Sequence, residues 1–177
     1  MEAHIERERL ITFLLEAPMF DNLEPAEIMQ IIHIVEVLPL KAGDVIFSEG
    51  DAGDAWYVLY KGSVDVVKDT PHGENTIATL GPRDCFGEMS ILDGLPRSAM
   101  VRAAEDSVAF RIPRSTFDKL LDNDELIAYK LLYHMAILLA QRQRTTTETL
   151  SRLLEDTSVA AIHAGIKQIV GEASVKE

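Results

Sequence analysis

The spacing of hydrophobic residues changes twice along the chain, and the N-terminal part has a helical pattern. Apolar residues recur there every three or four positions among charged ones, first before Pro18 and again between Pro25 and Pro39. This spacing is typical of amphipathic helices, and proline fits the first turn of a helix but interrupts its interior. We therefore expect one helix over residues 4–16 and a second, short helix that begins at Pro25.

The middle of the chain has the pattern of β-structure. Short apolar runs alternate with turn residues about every ten positions, which indicates an all-β sandwich or barrel. In the clearest run, Val108, Phe110 and Ile112 alternate with Ala109 and Arg111, so that one face packs inward and the other meets solvent. The predicted strands are residues 44–48, 55–60, 63–68, 76–80, 99–103 and 107–112.

After Pro113 the helical period returns and predicts a short helix over 115–121 and a long one over 125–155. The first half of the long helix is apolar nearly all round, which is more than one buried face requires. We therefore expect it to contact a second copy of the chain, and the predicted seam of this homodimer is Leu132, Met135 and Leu139.

The tail, residues 157–177, has a weaker pattern. Apolar residues recur at helical spacing over 159–170, but Gly165 and Gly171 lower the helix propensity. The tail is expected to be a loosely docked or disordered end, with a helix over 159–170 as the alternative.

The charge balance argues against nucleic acid as a partner. The chain has 17 Lys and Arg against 29 Asp and Glu, a net charge of -12, which opposes binding to phosphate backbones. No apolar run approaches the roughly 18 residues of a membrane span. Since the single cysteine, Cys85, has no internal partner for a disulfide, we expect a cytoplasmic protein that binds neither nucleic acid nor membrane.

Catalytic and metal-binding patterns are missing from the sequence. The five histidines are scattered without metal-ligand spacing, and we find neither a Ser-His-Asp arrangement nor a glycine-rich triphosphate loop. The sequence therefore predicts a non-enzymatic protein without a metal or a cofactor.

The segment 86–99 has the residues of a small-anion site. Gly87 permits close approach of the backbone, and the N–H groups of Met89 and Ser90 open a short helical turn that can face a phosphate. Arg97 can donate two parallel hydrogen bonds to phosphate oxygens, and the Ser98 hydroxyl can donate one more.

Glu88 in the same segment needs a different role, because a carboxylate would repel a phosphate. As an acceptor for a ribose 2′-hydroxyl it would favour ribose over deoxyribose. The alternative from spacing alone is that Glu88 and Arg97 form a surface ion pair across a turn.

This segment resembles the phosphate-binding cassette of cyclic nucleotide-binding domains, a family that includes catabolite-activator-type regulators, regulatory subunits of cAMP-dependent kinase and cyclic-nucleotide-gated channels. The resemblance implies Glu88 on the ribose 2′-hydroxyl, Arg97 on the cyclic phosphate, Ser98 beside it and backbone donors from residues 87–90. The implied ligand-binding residues are Gly87, Glu88, Met89, Ser90, Arg97, Ser98 and Ala99, with Leu138 and Arg142 as candidates for the base.

Two more blocks extend the resemblance to about residues 18–140. Residues 42–64 look like the first strands of the family, and Phe20, Leu23, Glu27 and Ile28 resemble its N-terminal helical signature. The implied fold is an eight-stranded jelly-roll β-barrel, mainly β, with N-terminal helices and a long C-terminal helix. The expected segments are an N-terminal helix (1–17), the jelly roll (18–122), a lid and dimerisation helix (123–156) and the tail (157–177).

The sequence departs from the family in two places. Arg83 stands where a glycine is common, which affects a turn outside the expected pocket. The C-terminal helix lacks an obvious match for the side chains that contact the base. Leu138 and Arg142 lie at about the right distance along it, for apolar stacking and for a polar or cation–π contact. The alternative for Arg142 is an ordinary solvated charge of the helix.

The function that the resemblance implies is a cyclic-nucleotide sensor. The ligand is expected to be cAMP, with cGMP as the other possibility, and the C-terminal helix to close over it and pass the signal to a downstream protein partner that the sequence does not name. The alternative is a degenerate jelly-roll interaction protein that binds a partner protein or another small anion.

Overall fold

The computed structural model describes residues 7–173, and the side chains of residues 8–154. The helices are α1 (Arg7–Glu16), α2 (Pro25–Ile34), α3 (Met89–Asp93), α4 (Arg114–Asp122) and α5 (Leu126–Ala173), and a 3-10 turn covers Pro18–Phe20. The strands are β1 (Glu36–Leu40), β2 (Val45–Phe47), β3 (Ala55–Lys61), β4 (Val64–Thr70), β5 (Gly73–Leu80), β6 (Cys85–Phe86), β7 (Met100–Ala103) and β8 (Ser107–Pro113).

The eight strands form two four-stranded antiparallel sheets. Their orders are β1-β8-β3-β6 and β2-β7-β4-β5, so neighbours in each sheet come from distant parts of the sequence. Inward-facing residues of both sheets, among them Leu59 on β3 and Val101 on β7, form one hydrophobic core. The fold is the expected jelly-roll arrangement with flanking helices.

The six predicted strands are all present, and β1 and β6 are the two that the pattern did not locate. β1 lies at the edge of its sheet, where Pro39 is tolerated because one side of the strand donates no ladder hydrogen bonds. Its residues are largely exposed and therefore show no hydrophobic alternation. β6 is only two residues long, which is too short to show a period.

Helix α2 begins where its sequence predicts. Pro25 occupies the first turn, and Glu24 and Glu27 form a reciprocal capping box. Burial disfavours the charged form of Glu27, but hydrogen bonds from Lys130 of α5 and the Glu24 N–H lower the pKa of its carboxyl overall. This contact ties the beginning of α5 to α2, with 2.7 Å between Lys130 Nζ and Glu27 Oε2.

Arg83 keeps a backbone conformation that usually belongs to glycine. Its φ is 76°, in the left-handed region, and its N–H donates to the Leu59 carbonyl at 2.8 Å. The Arg83 guanidinium forms an ion pair with Glu16 at the end of α1. The departure from the family therefore places a side chain against α1.

Helix α5 continues past its predicted end at residue 155, without a break at the three threonines. The hydroxyls of Thr145, Thr146 and Thr147 donate to carbonyls one turn earlier, which satisfies these groups within the helix. The helical alternative for residues 159–170 is confirmed, since α5 extends to Ala173, and residues 174–177 lie outside the described part.

The chain divides into two compact units, Met1–Met135 and Ala136–Glu177. Met135 is fully buried, so the prediction that it belongs to a dimer seam is wrong: an amino acid packed inside its own chain has no surface to offer a partner. Among residues 7–173, we find no helix with both the length and the apolar content that crossing a membrane requires.

Candidate functional site

Gly87 determines how the backbone of segment 86–99 passes from β6 to α3. β6 brings the chain to Gly87, which has φ +77°, and α3 follows at once and ends at Gly94 in the left-handed conformation. A Cβ on Gly87 would lie 2.8 Å from Arg97 Nη1 and 3.3 Å from the Phe47 ring. Glycine is required here by both its φ and the close approach of the Arg97 side chain.

Arg97 is the central charged group of the segment. Its side chain is only 1% exposed, and Nη1 donates to the Gly87 carbonyl at 2.7 Å. Nη2 donates to the Ala55 carbonyl at 2.7 Å and to Asp54 Oδ1 at 3.1 Å. The guanidinium is therefore held in one orientation by three groups from two different segments of the chain.

An aromatic ring and a vacant donor complete the environment of Arg97. Its guanidinium carbon lies 4.1 Å from the centre of the Phe47 ring, which stabilises the charge by a cation–π contact. Among the described residues, Arg97 Nε is buried without a hydrogen-bond partner. Because a buried donor without an acceptor is unfavourable, this position favours an additional negatively charged oxygen.

Asp54 connects Arg97 to strands β8 and β1. Its other oxygen accepts a hydrogen bond from Arg111 Nη2 at 2.8 Å, and Arg111 Nη1 donates to Glu36 on β1 at 2.6 Å. Partial burial opposes ionisation of Asp54, but the Arg111 hydrogen bond and the charges of Arg111 and Arg97 lower its pKa overall. The Asp54 side chain nevertheless remains 62% exposed, so solvent or a ligand can reach it.

Glu88 and Arg97 are not a surface ion pair. Glu88 is 2% exposed and Arg97 3%, so the alternative derived from spacing is wrong, because neither residue lies at the surface. Glu88 immediately precedes α3, and its carbonyl accepts hydrogen bonds from Ile91 and Leu92. A carboxylate at this depth requires donors, and a ligand hydroxyl is one class of donor that it can bind.

The other cassette residues differ in exposure. Ser98 is exposed, and its hydroxyl lies 3.8 Å from the sulfur of Met89, a weak acceptor, so the hydroxyl can turn to a stronger one. Met89 is 45% exposed, whereas Ser90 and Ala99 are buried. The Ser90 carbonyl accepts from Arg114 Nη1 at 3.2 Å. The structure thus brings Met89 and Ser98 together, as it does Gly87 and Arg97.

Leu138 and Arg142 lie farther along α5, in the second compact unit. Their contact with a base stays a prediction.

Sequence reasoning missed Phe47 and Asp54, which contact Arg97 directly. They precede it by 50 and 43 residues, and only the strand pairing brings β2 and the start of β3 to the cassette. A signal for Asp54 existed in the dense acidic turn 49–54, but that turn alone does not indicate a partner.

Comparison with known proteins supports the same family. The model of the cyclic nucleotide-binding domain matches residues 37–124. The chain is 33% identical over 134 residues to a cAMP-dependent protein kinase regulatory subunit from Aspergillus niger. The aligned residues cover 75% of this chain and 32% of the relative. It is 30% identical over 142 residues to a CRP-like cAMP-activated global transcriptional regulator from Mycobacterium tuberculosis, with coverage of 80% and 62%.

Among solved structures, the Thermus thermophilus catabolite activator protein is similar with a TM-score of 0.66 and 33% identity, over 77% of this chain and 62% of that one. The chain thus spans about a third of the length of the kinase subunit and less than two thirds of the two regulators. The matched region contains the whole cassette and all of the two sheets except Glu36, the first residue of β1. Through this domain, the chain belongs to the cyclic nucleotide-binding family.

Proposed function

We propose that this protein is a non-enzymatic sensor that binds cAMP in the cassette and transmits binding through helix α5. The observation that carries the proposal is Arg97, a buried guanidinium with an unpartnered Nε, held between the Gly87 carbonyl and the Phe47 ring. Such a group has a permanent charge and a donor without an acceptor, which suit a phosphate.

In this proposal each cassette residue has a distinct task. Arg97 neutralises the single charge of the cyclic phosphate, and the Ser98 hydroxyl leaves its weak sulfur contact to donate to a phosphate oxygen. Asp54 makes the longest of the three Arg97 hydrogen bonds and is the most exposed partner, so it gives way first when a phosphate approaches. Glu88 accepts from the ribose 2′-hydroxyl.

The base is expected to be recognised weakly, and this is a first prediction. Within this family, a threonine after the cassette arginine favours cGMP, whereas this chain has Ser98, whose hydroxyl is assigned to the phosphate. Adenine would be held by apolar contacts with little hydrogen bonding, and Leu138 and Arg142 stay the sequence candidates for the base. Competition titrations should give cAMP binding about tenfold to thirtyfold tighter than cGMP. Tighter binding of cGMP would reverse the assignment of the base and leave the cassette intact.

Coupling through α5 requires a partner for its exposed apolar residues, and we propose a homodimer. Leu126, Tyr129 and Tyr133 lie at helical spacing and are 64%, 48% and 63% exposed, so they replace the buried Met135 as the proposed seam.

A second prediction follows for this seam. Light scattering at high micromolar concentration should report a dimer of the 19.7 kDa chain, and Tyr133→Glu should shift it toward monomer because a charge would be buried in the contact. The exposed Thr146→Glu, on the polar stretch of α5, is the matched control and should stay dimeric. A wild-type monomer at that concentration would contradict the proposed dimer.

A second candidate function is an interaction module that has lost its ligand. It is favoured by the hydrogen bonds that Arg97 already makes to Ala55, Gly87 and Asp54, because these keep the segment folded without an added anion. In that case the downstream partner, which stays unidentified, would bind the protein surface directly. Failure of both cAMP and cGMP to bind would favour this function.

A further inference from the structure

We infer that Lys68, on β4, is a positioning residue for the Ser98 hydroxyl of the cassette. The inference rests on the proposed function and adds to it a residue that lies outside the cassette segment. Lys68 Nζ donates a hydrogen bond to the Ser98 carbonyl at 2.8 Å and forms an ion pair with Glu49. One ammonium group thus joins β4, the turn before β3 and the cassette.

The backbone that precedes Ser98 is held by two hydrogen bonds to the turn 48–51. Gly50 N–H donates to the Arg97 carbonyl at 2.9 Å, and Arg97 N–H donates to the Asp51 carbonyl at 2.8 Å. These two bonds fix the backbone of residue 97 against the turn 48–51. The next carbonyl along the chain, that of Ser98, is the one that Lys68 binds. Lys68 therefore fixes the peptide that follows the two backbone bonds.

The orientation of this peptide matters because the Ser98 side chain has no other strong hold. Its hydroxyl contacts only the weak Met89 acceptor among its described hydrogen bonds, at 3.8 Å. One torsion, χ1, with three staggered wells separates the serine hydroxyl from its backbone, so a fixed backbone limits the hydroxyl to three directions. Holding the Ser98 carbonyl therefore reduces the number of positions that its hydroxyl samples before a phosphate arrives.

Glu49 in turn holds Lys68 in place. Lys68 and Glu49 side chains are 42% and 39% exposed, so the pair contributes little to stability by itself. Its importance lies in geometry, because a lysine side chain has many rotamers and the carboxylate restricts them. Arginine at position 68 retains the charge and can donate to both the carbonyl and the carboxylate.

The test is a double-substitution cycle on the full chain, read out as cAMP affinity by isothermal titration. Lys68→Met should weaken cAMP binding about fivefold, the scale of one lost intramolecular hydrogen bond. In the Ser98→Ala background, which has no hydroxyl to position, Lys68→Met should cost less than about twofold. Lys68→Arg should restore affinity to within about twofold of the wild type.

Lys41→Met is the matched control. Lys41 also pairs with an exposed carboxylate, Asp106 at 2.7 Å, but touches no cassette residue in the described contacts. It should leave cAMP affinity unchanged, and the unfolding midpoint of each variant verifies that it is folded. Lys68→Leu, which also lacks the charge and the donor, repeats the cycle if the methionine variant does not fold.

Three results would overturn the inference. Equal losses from Lys68→Met with and without the Ser98 hydroxyl would show that Lys68 does not act through it. Unchanged cAMP affinity in Lys68→Met would show that Lys68 has no role in binding at the cassette. If wild-type protein binds neither cAMP nor cGMP, the proposed function and this inference fail together, whereas binding with additive losses rejects the inference alone.

Discussion

Arg97→Lys is expected to weaken cAMP binding at least about thirtyfold, which corresponds to about 2 kcal/mol. Lysine retains the positive charge but cannot donate to the Ala55 and Gly87 carbonyls and to a phosphate at the same time, because it lacks the planar fork of five donors. The fixed orientation over the Phe47 ring is lost as well. Isothermal titration of wild type and variant measures the change.

Arg102→Lys is the matched control for this substitution. Arg102 lies on β7 near the cassette in sequence, but it is paired with Glu74 at 3.0 Å and is 35% exposed. Its replacement should change affinity by less than about threefold, as usual for a surface ion pair. If Arg97→Lys also binds cAMP within about threefold of wild type, Arg97 is not the group that binds the phosphate.

Replacing cAMP by 2′-deoxy-cAMP is expected to cost the wild type about thirtyfold in affinity, since a hydrogen bond to a charged acceptor contributes about 2 kcal/mol. Glu88 is 2% exposed, so its carboxylate would lose a partner that water cannot replace. Glu88→Gln should shrink the discrimination between the two nucleotides to less than about fivefold, because the amide is a weaker acceptor.

The Glu105→Gln variant controls for the removal of a negative charge. Glu105 is exposed in the turn between β7 and β8, where it accepts from the Ser63 hydroxyl, and its replacement should leave the discrimination at about thirtyfold. Equal discrimination in wild type and Glu88→Gln would assign Glu88 a structural role before α3 instead of a contact with ribose.

The sequence predicted most of the fold because its strands have strong local signals. β8 ends within one residue of its predicted end. The predicted alternation is wrong at Ala109, because Ala109 is buried in the core while Phe110 is buried against Phe13 of α1. β1 and β6 were not predicted, because the edge position of β1 and the short length of β6 remove the alternation on which such predictions depend. Met135 was placed wrongly because helical spacing marks an apolar face but does not tell which neighbour covers it.

The residues of the candidate site also fall into those that a local motif predicts and those that only the fold brings together. The cassette is continuous in sequence, so Gly87, Glu88, Arg97 and Ser98 could be named together from a local motif. Phe47 and Lys68 reach it only through the pairing of β2, β4 and β7 in one sheet, and no local pattern encodes that register.

Binding of cAMP to the cassette is tested most directly by an isothermal titration of cAMP into the wild-type protein, with linear AMP titrated in parallel. We expect saturable binding of one cAMP per chain. AMP should bind at least about tenfold more weakly, because a second phosphate charge and an open ring suit a site with one buried guanidinium poorly. Absence of saturable cAMP binding up to millimolar concentration, or AMP binding as tight as cAMP, would show that the cassette is not a cyclic-nucleotide site.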